Sequence, residues 1–252
     1  MSIKHININI QGEKHLDRVF SFLEKEQPDT VAVQEILERD VPRFKERFRY
    51  DVFYVRFSDH SSRAILHDSS DLSVPSGVAI FSKHPFLFTK HERYANEDAD
   101  IKLFFKEQIS MHRDLLSVGM MVDGETYVLA TTHFTWTPDG KSSEHQKHDL
   151  GKIVQMLERI GPCVFTGDFN SARGFEIFDE LARLMKDNIP TDVTTTLDQH
   201  LHRVQGLQIV VDGYFSTPPY MVSDVRVVDG ISDHCAIVGT ISILNADDQV
   251  LK

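Results

Sequence analysis

The sequence predicts two packed β-sheets with helices on their outer faces. Three observations lead there: many short apolar strands, only a few helical stripes to cover them, and polar residues set at strand ends. An open α/β sheet satisfies the same pattern and remains an alternative at this level.

The elements follow in order. From Lys4 onward, Ile6, Ile8 and Ile10 alternate with His5, Asn7 and Asn9, a strand with one polar face. Leu16, Val19, Phe20 and Leu23 recur at helical spacing, and Pro28 ends that helix. TVAVQE (30–35) is a short apolar strand closing on a charge, so the chain opens β-α-β. RFKERFR (43–49) reads as a helix and its following turn, with a solvated basic face. Strands are expected at 49–57 and 77–82, separated by a long polar loop, and SKHP (82–85) reads as a turn. Asp123-Gly124 marks a hairpin between strands near 115–122 and 126–132. Leu150, Ile153, Val154, Leu157 and Ile160 form a helical stripe stopped by Gly161-Pro162. A strand CVFTGDFN, a helix around 174–186 and three strands, LQIVVDGYF, MVSDVRVV and CAIVGTISI, complete the chain. No internal repeat or linker is evident. One domain over 1–245 is expected, with 246–252 as a frayed tail.

Composition narrows the function. The chain has 252 residues, 41% hydrophobic and 26% charged, and a formal net charge of −11. That balance suits a folded protein and lacks the general basic footprint of a tight duplex binder. Engagement of only a few phosphates is expected, favouring small or end-positioned phosphoesters over duplex interiors. Cys163 and Cys235 sit in apolar runs and read as reduced core thiols. The N-terminus is too short and polar for a signal peptide, and no apolar run approaches membrane-spanning length, so a cytoplasmic location is expected. The oligomeric state is not legible.

Polar residues interrupt strand ends in five places: Asn9, Glu35, His133, Asp168 with Asn170, and Asp233 with His234. A single one is usually a turn former or a cap. Five together, mixing carboxylate, amide and imidazole without cysteine, suit a hard cation such as Mg²⁺ or Mn²⁺. Glu35 would be the principal carboxylate. Trp136, near His133, is equally suited to stacking on a substrate and to packing. Arg113 reads as solvated before its strand, with phosphate contact as the sharper option. His145, His148, His200 and His202 show no ligand spacing.

The segments NIQG (9–12), VAVQE (31–35), SGVAIFSKHP (76–85), TTHF (131–134), GDFN (167–170), VDGYF (211–215) and SDH (232–234) occur in one order across the chain. They resemble the signatures of the endonuclease/exonuclease/phosphatase family. The resemblance implies an α+β fold, a four-layer α/β/β/α sandwich of two mainly antiparallel sheets flanked by helices. It also implies metal-dependent hydrolysis of a phosphate ester. Carried over, Glu35 is the main Mg²⁺ ligand, with Asn9 near the metal (Asn7, on the same strand face, is the runner-up) and Asp233 at or beside it. Asp168 with Asn170 would orient or activate water. His234, oriented by Asp212, would stabilise the transition state, and His133 would contact the phosphate or leaving group. The histidine at 133 resembles the deoxyribonuclease I-like, sphingomyelinase-like and 5′-tyrosyl-DNA-phosphodiesterase-like branches. The apurinic-site endonuclease branch typically has tyrosine there. Val211-Asp212-Gly213 differs from the Cys-Asp-Arg segment of inositol-polyphosphate 5-phosphatases, and Gly213 departs from the aromatic or arginine usual after that aspartate. The implied partner is a phosphoester substrate such as nucleic acid or a nucleotide. Two further readings are a sphingomyelinase-like lipid phosphodiesterase, for which LFF (103–105) would be the apolar tip, and a catalytically silent phosphate-binding module.

Overall fold

A computed structural model describes residues 2–58, 74–96, 111–137 and 141–244. Twelve strands form two six-stranded sheets among these residues. Sheet one contains β1 (Ser2–Asn9), β2 (Thr30–Leu37), β3 (Asp51–Ser58), β4 (Ser76–Ser82), β11 (Tyr220–Val228) and β12 (Ala236–Ile243), in the order β11-β12-β1-β2-β4-β3. Sheet two contains β5 (Phe86–Ala95), β6 (Arg113–Val122), β7 (Glu125–His133), β8 (Val164–Asp168), β9 (Lys186–Asp187) and β10 (Asp212–Ser216), in the order β5-β6-β7-β8-β10-β9. Each sheet has one parallel pair, β1 with β2 and β7 with β8, and every other pair is antiparallel. The mixed sheets and their covering helices form the α+β four-layer sandwich, and the open single sheet is set aside.

The helices follow from their stripes. Helix α1 (Leu16–Glu26) buries Leu16, Val19, Phe20 and Leu23 in one core with Ile6 and Ile8 of β1 and Ile10 just beyond it. Helix α2 (Val41–Phe48) adds Phe44, stacked on Phe81 with ring centroids 4.9 Å apart. Each such large apolar side chain contributes roughly 1.5–3 kcal/mol on burial. The basic face of α2 is partly tied: Arg43 and Arg47 lie over the Phe20 ring and pair with Asp40 and Glu24. Helix α3 (Glu144–Ile160) buries Leu150, Ile153 and Met156 in the core that includes sheet two, and α4 (Glu176–Leu184) buries Ile177, Phe178 and Leu181 there. Helix α3 opens on a capping box, Ser143 with Gln146.

The polar face of β1 is not solvated. His5, Asn7 and Asn9 are buried, and they face sheet two. His5 Nδ1 meets Thr30 Oγ1 at 2.8 Å and His5 Nε2 meets Thr166 Oγ1 of β8 at 3.2 Å. Gln34 donates to Asn7 at 2.9 Å and to Thr131 of β7 at 3.1 Å. A polar seam thus runs through an otherwise apolar sheet interface. Burial pushes the His5 pKa down to about 3, so the ring is neutral.

Several elements differ from the sequence reading. Residues 86–95 form β5, an edge strand whose exposed, charged face hides its periodicity. The expected strand LQIVVDGYF begins only at Asp212, because the Val211 and Asp212 amides donate to Thr196 Oγ1 at 3.0 and 3.1 Å. Arg113 is buried, not solvated: its guanidinium donates to the His133 carbonyl at 3.0 Å and lies over Phe57. Cys163 and Cys235 are free and buried. Asp123 and Gly124 both take positive φ, as a two-residue hairpin turn requires. LFF (103–105) and the 246–252 tail lie outside the described residues. No helix among those described is long and apolar enough to cross a membrane.

Candidate active site

Asn9 ends β1, Glu35 stands near the end of β2, His133 ends β7, Asp168 ends β8, Asp212 begins β10 and His234 precedes β12. These positions share one edge of the sandwich, since strand ends of a parallel pair and the starts of their antiparallel neighbours fall together.

Glu35 needs a local distortion to take part. Consecutive strand residues project to opposite faces, and Gln34 already faces sheet two. A bulge between Gln34 and Ile36 takes Glu35 out of the strand register, at φ 59°. The bulge re-aims its carboxylate to the sheet-two side, where Oε1 accepts from Asn9 Nδ2 at 3.2 Å. The glycine of GDFN has an equally direct cause. A Cβ on Gly167 would lie 2.3 Å from the Thr132 carbonyl oxygen of β7, so only glycine lets β8 approach that closely.

Asp168 is the hub. Its Oδ1 accepts from the Asn170 amide at 2.9 Å, and its Oδ2 accepts from Asn9 Nδ2 at 3.1 Å. The same Oδ2 lies 3.5 Å from His133 Nε2 and 3.7 Å from His234 Nε2. His133 Nε2 is also 4.0 Å from Glu35 Oε1. His234 Nδ1 bonds Asp212 Oδ2 at 2.9 Å. Asn170 holds the neighbouring loop by donating to the Phe134 carbonyl at 2.9 Å, and Gln146 donates to the Thr135 carbonyl at 2.6 Å. Asp233, buried beside His234, accepts from Ser232 Oγ at 3.2 Å.

The two histidines differ in charge. Burial, with Arg113 beside it, pushes His133 down to about 3 and keeps it neutral. Burial also opposes charge on His234, but Asp212, Asp168 and Asp233 outweigh it and raise its pKa well above the ordinary 6.5.

Of the eight residues the motifs single out, Asn9, Glu35, His133, Asp168, Asp212 and His234 share this contact network, joined to Asn170 through the Asp168–Asn170 bond. Asp233 adjoins it through His234. Asn7 lies in the seam on Gln34, away from the acidic cluster. Sequence reasoning missed Gln146 and read Arg113 as solvated or as a phosphate contact, whereas they support the carbonyls of Thr135 and His133; a buried role is invisible when a residue simply opens a strand or a helix. Trp136 is half-buried.

The donor set suits a divalent ion. Four carboxylates, Glu35, Asp168, Asp212 and Asp233, gather with one amide and two imidazoles, and Asp212 Oδ1 is buried without a hydrogen-bond partner. One ligand-capable atom from each of Asp168, Asp212 and His234 lies within 4.8 Å of the others. In that trio His234 Nδ1 is already taken up by its bond to Asp212 at 2.9 Å, and a hard cation such as Mg²⁺ prefers oxygen ligands. Glu35 with Asn9 is the better-suited oxygen pair.

The model of the Endonuclease/Exonuclease/phosphatase family matches residues 6–234. The chain belongs to that family. Solved structures with the same fold include an endonuclease/exonuclease/phosphatase from Bacteroides vulgatus, at 18% identity and TM-score 0.72, covering 97% of this chain and 100% of that one. The human Nocturnin catalytic domain with bound sulfate aligns at 16% identity and TM-score 0.70, over 96% and 94% of the two chains. A Bacteroides thetaiotaomicron mannosyl-6-phosphatase aligns at 11% and TM-score 0.69, over 96% and 100%. No curated protein matches the chain significantly. A Cβ on Gly213 would meet the Phe169 ring at 2.4 Å and the Phe215 ring at 2.5 Å.

Proposed function

We propose that the protein hydrolyses a phosphate ester with water at a Mg²⁺ or Mn²⁺ centre, as a phosphodiesterase or nuclease. The observation carrying this reading is the position of Asp168 Oδ2, 3.1 Å from Asn9, 3.5 Å from His133 and 3.7 Å from His234. One buried carboxylate oxygen so surrounded marks where a reacting group would sit.

Glu35 and Asn9 would hold the metal, with Asp233 at or beside it. The ion would supply Lewis-acid stabilisation of phosphoryl charge. Asp168, its other oxygen fixed by the Asn170 amide, orients the attacking water and takes its proton. His234, held by Asp212, presents a cationic Nε2 to the charge that grows on the phosphoryl oxygens. Neutral His133, its carbonyl held by Arg113, contacts the scissile phosphate or the leaving group. The substrate class is a nucleic acid, a nucleotide-like diester or another small phosphoester. The sulfate named with Nocturnin and the sugar phosphate implied by mannosyl-6-phosphatase agree with a phosphate-sized anion on this fold.

A hydrolysis panel in Mg²⁺ tests the reading. It includes single-stranded and duplex DNA, RNA, a 5′-phosphotyrosyl oligonucleotide, sphingomyelin and an aryl phosphodiester. Turnover of at least one substrate is expected, lost in excess chelator and in Asp168→Asn. Full turnover in chelator, or none across the panel, refutes it.

A further inference from the structure

Beside the catalytic edge stands a loop, 199–206, that the site described above does not use. Its sequence, QHLHRVQG, contains two histidines and an arginine and no carboxylate. In a chain of net charge −11 that is a local reversal of sign.

The loop is built rather than slack. Asp198 at its base is buried, and its Oδ1 accepts from the amides of His200 and Leu201, both at 2.8 Å. Its Oδ2 accepts from the Gly230 amide. Gln199 donates to the carbonyls of Leu197 and Leu207, at 3.1 and 2.9 Å, and so closes the loop's neck. Gln205 braces the tip through the carbonyls of His200 and His202. The base is pinned to the catalytic segment, because Leu197 bridges His234 and the Asp198 amide donates to the Asp233 carbonyl at 2.9 Å.

This frame puts the His202 ring edge-on to His234, with centroids 6.4 Å apart. His202 is half-exposed. Its Nδ1 is tied to the Val204 backbone at 3.2 Å, which leaves Nε2 for a ligand. Arg203 and His200 are exposed, and Arg203 has no ion-pair partner among the described residues. A group bound here would lie one ring's breadth from the imidazole assigned to the reacting phosphate. It would therefore belong to the same substrate molecule.

We propose that loop 199–206 binds a second phosphate of the substrate, with His202 as the contact beside His234 and Arg203 as the supporting charge. The substrate class is thereby a phosphoester that carries another phosphate next to the scissile one. The inference rests on the hydrolytic reading of the neighbouring site. It adds a preference that the catalytic residues, which handle one phosphate, do not supply. A charge-assisted hydrogen bond is strong enough to make such a preference about tenfold.

Two measurements test it. The first compares kcat/KM on thymidine 5′-(p-nitrophenyl phosphate) with kcat/KM on the same ester bearing a 3′-phosphate. The full chain with Mg²⁺ should favour the second by about tenfold, mainly through KM. His202→Ala and Arg203→Ala should each bring the ratio towards one, and His202→Lys should keep it. The second measurement is calorimetric binding of thymidine 3′,5′-bisphosphate and thymidine 5′-monophosphate to the same proteins, which needs no turnover. The bisphosphate should bind more tightly to the wild type, and the margin should shrink in both alanine variants. Binding preference without hydrolysis of either ester or of any substrate in the panel upholds the loop's role and refutes the hydrolytic reading. A wild-type ratio near one in both measurements, or a ratio that both alanine variants retain, overturns the proposal.

Discussion

The two sheets are built alike and equipped differently. In each, a parallel pair is joined by a helix: β1-α1-β2 in one, β7-α3-β8 in the other. Each pair is flanked on one side by an antiparallel hairpin, β11-β12 or β5-β6, and on the other by two antiparallel strands. Corresponding strand ends carry the site. Asn9 matches His133, and Glu35 matches Asp168. Sheet one thus offers an amide and a bulged carboxylate of intermediate exposure, fit for an ion. Sheet two offers a neutral imidazole and a buried carboxylate fixed by a backbone amide, fit for water and phosphate. The same scaffold gains different chemistry from one residue at each strand end and from the bulge that sheet one alone places there.

The largest expected effect separates the two roles. Glu35→Gln should lower kcat/KM at least ~100-fold while leaving the fold intact. Raised Mn²⁺ should recover part of that loss, whereas the comparable loss in Asp168→Asn should not respond to metal. Identical metal responses, measured by titrating both variants, would erase the division of labour between the sheets.

A second experiment joins the halves. Asp168 belongs to sheet two and His234 leads into sheet one, yet they lie 3.7 Å apart and are proposed to act on one reacting group. Asp168→Asn with His234→Ala should be little worse than the worse single variant. Losses that multiply in a folded double variant would separate them into independent sites.

Smaller effects concern support. Gly213→Ala should cost about 1–3 kcal/mol, because its methyl meets two buried rings. Thermal denaturation reads that loss, and an unchanged melting temperature would show that Phe169 yields freely. The smallest effect is a pH slope. His5 is neutral in the fold, with its pKa pushed to about 3, and is an ordinary histidine near 6.5 when unfolded. The unfolded chain therefore takes up the proton first. Stability should fall as pH drops below 6.5 and keep falling towards 3. His5→Asn should flatten that limb in urea titrations at pH 6 and pH 4.5, and an unchanged slope would remove His5 from the acid response.

Much of this was legible in the sequence, for identifiable reasons. The stripe Leu16, Val19, Phe20 and Leu23 fixes α1 because helical periodicity survives in a covering helix. Asn9, Glu35, Asp168 and His234 stood out because polar residues at the ends of apolar strands need an explanation. What was hidden depends on the third dimension. Alternation reveals that β1 has a polar face but not that this face is buried, so Asn7 and Asn9 could not be told apart. They separate once Gln34 takes Asn7 and Asp168 takes Asn9. Strand β5 was left unassigned, since an edge strand needs no apolar outer face. Arg113 looked solvated because nothing local records that it lies beneath His133. His202, without any ligand spacing, reaches His234 only through a loop pinned at Asp198.

The polar seam between the sheets has an effect at a distance from itself. Two greasy surfaces can slide over one another at little cost, since dispersion has no preferred direction. His5 on Thr166 and Gln34 on Thr131 work instead like keys in a lock, letting the sheets mesh in one alignment. The flush edge at which Asn9 and Asp168 meet is inherited from that alignment. Loops around the edge can then be lengthened, shortened or recharged without disturbing the reacting atoms, which makes the interior the place to leave alone when the specificity of this scaffold is rewritten.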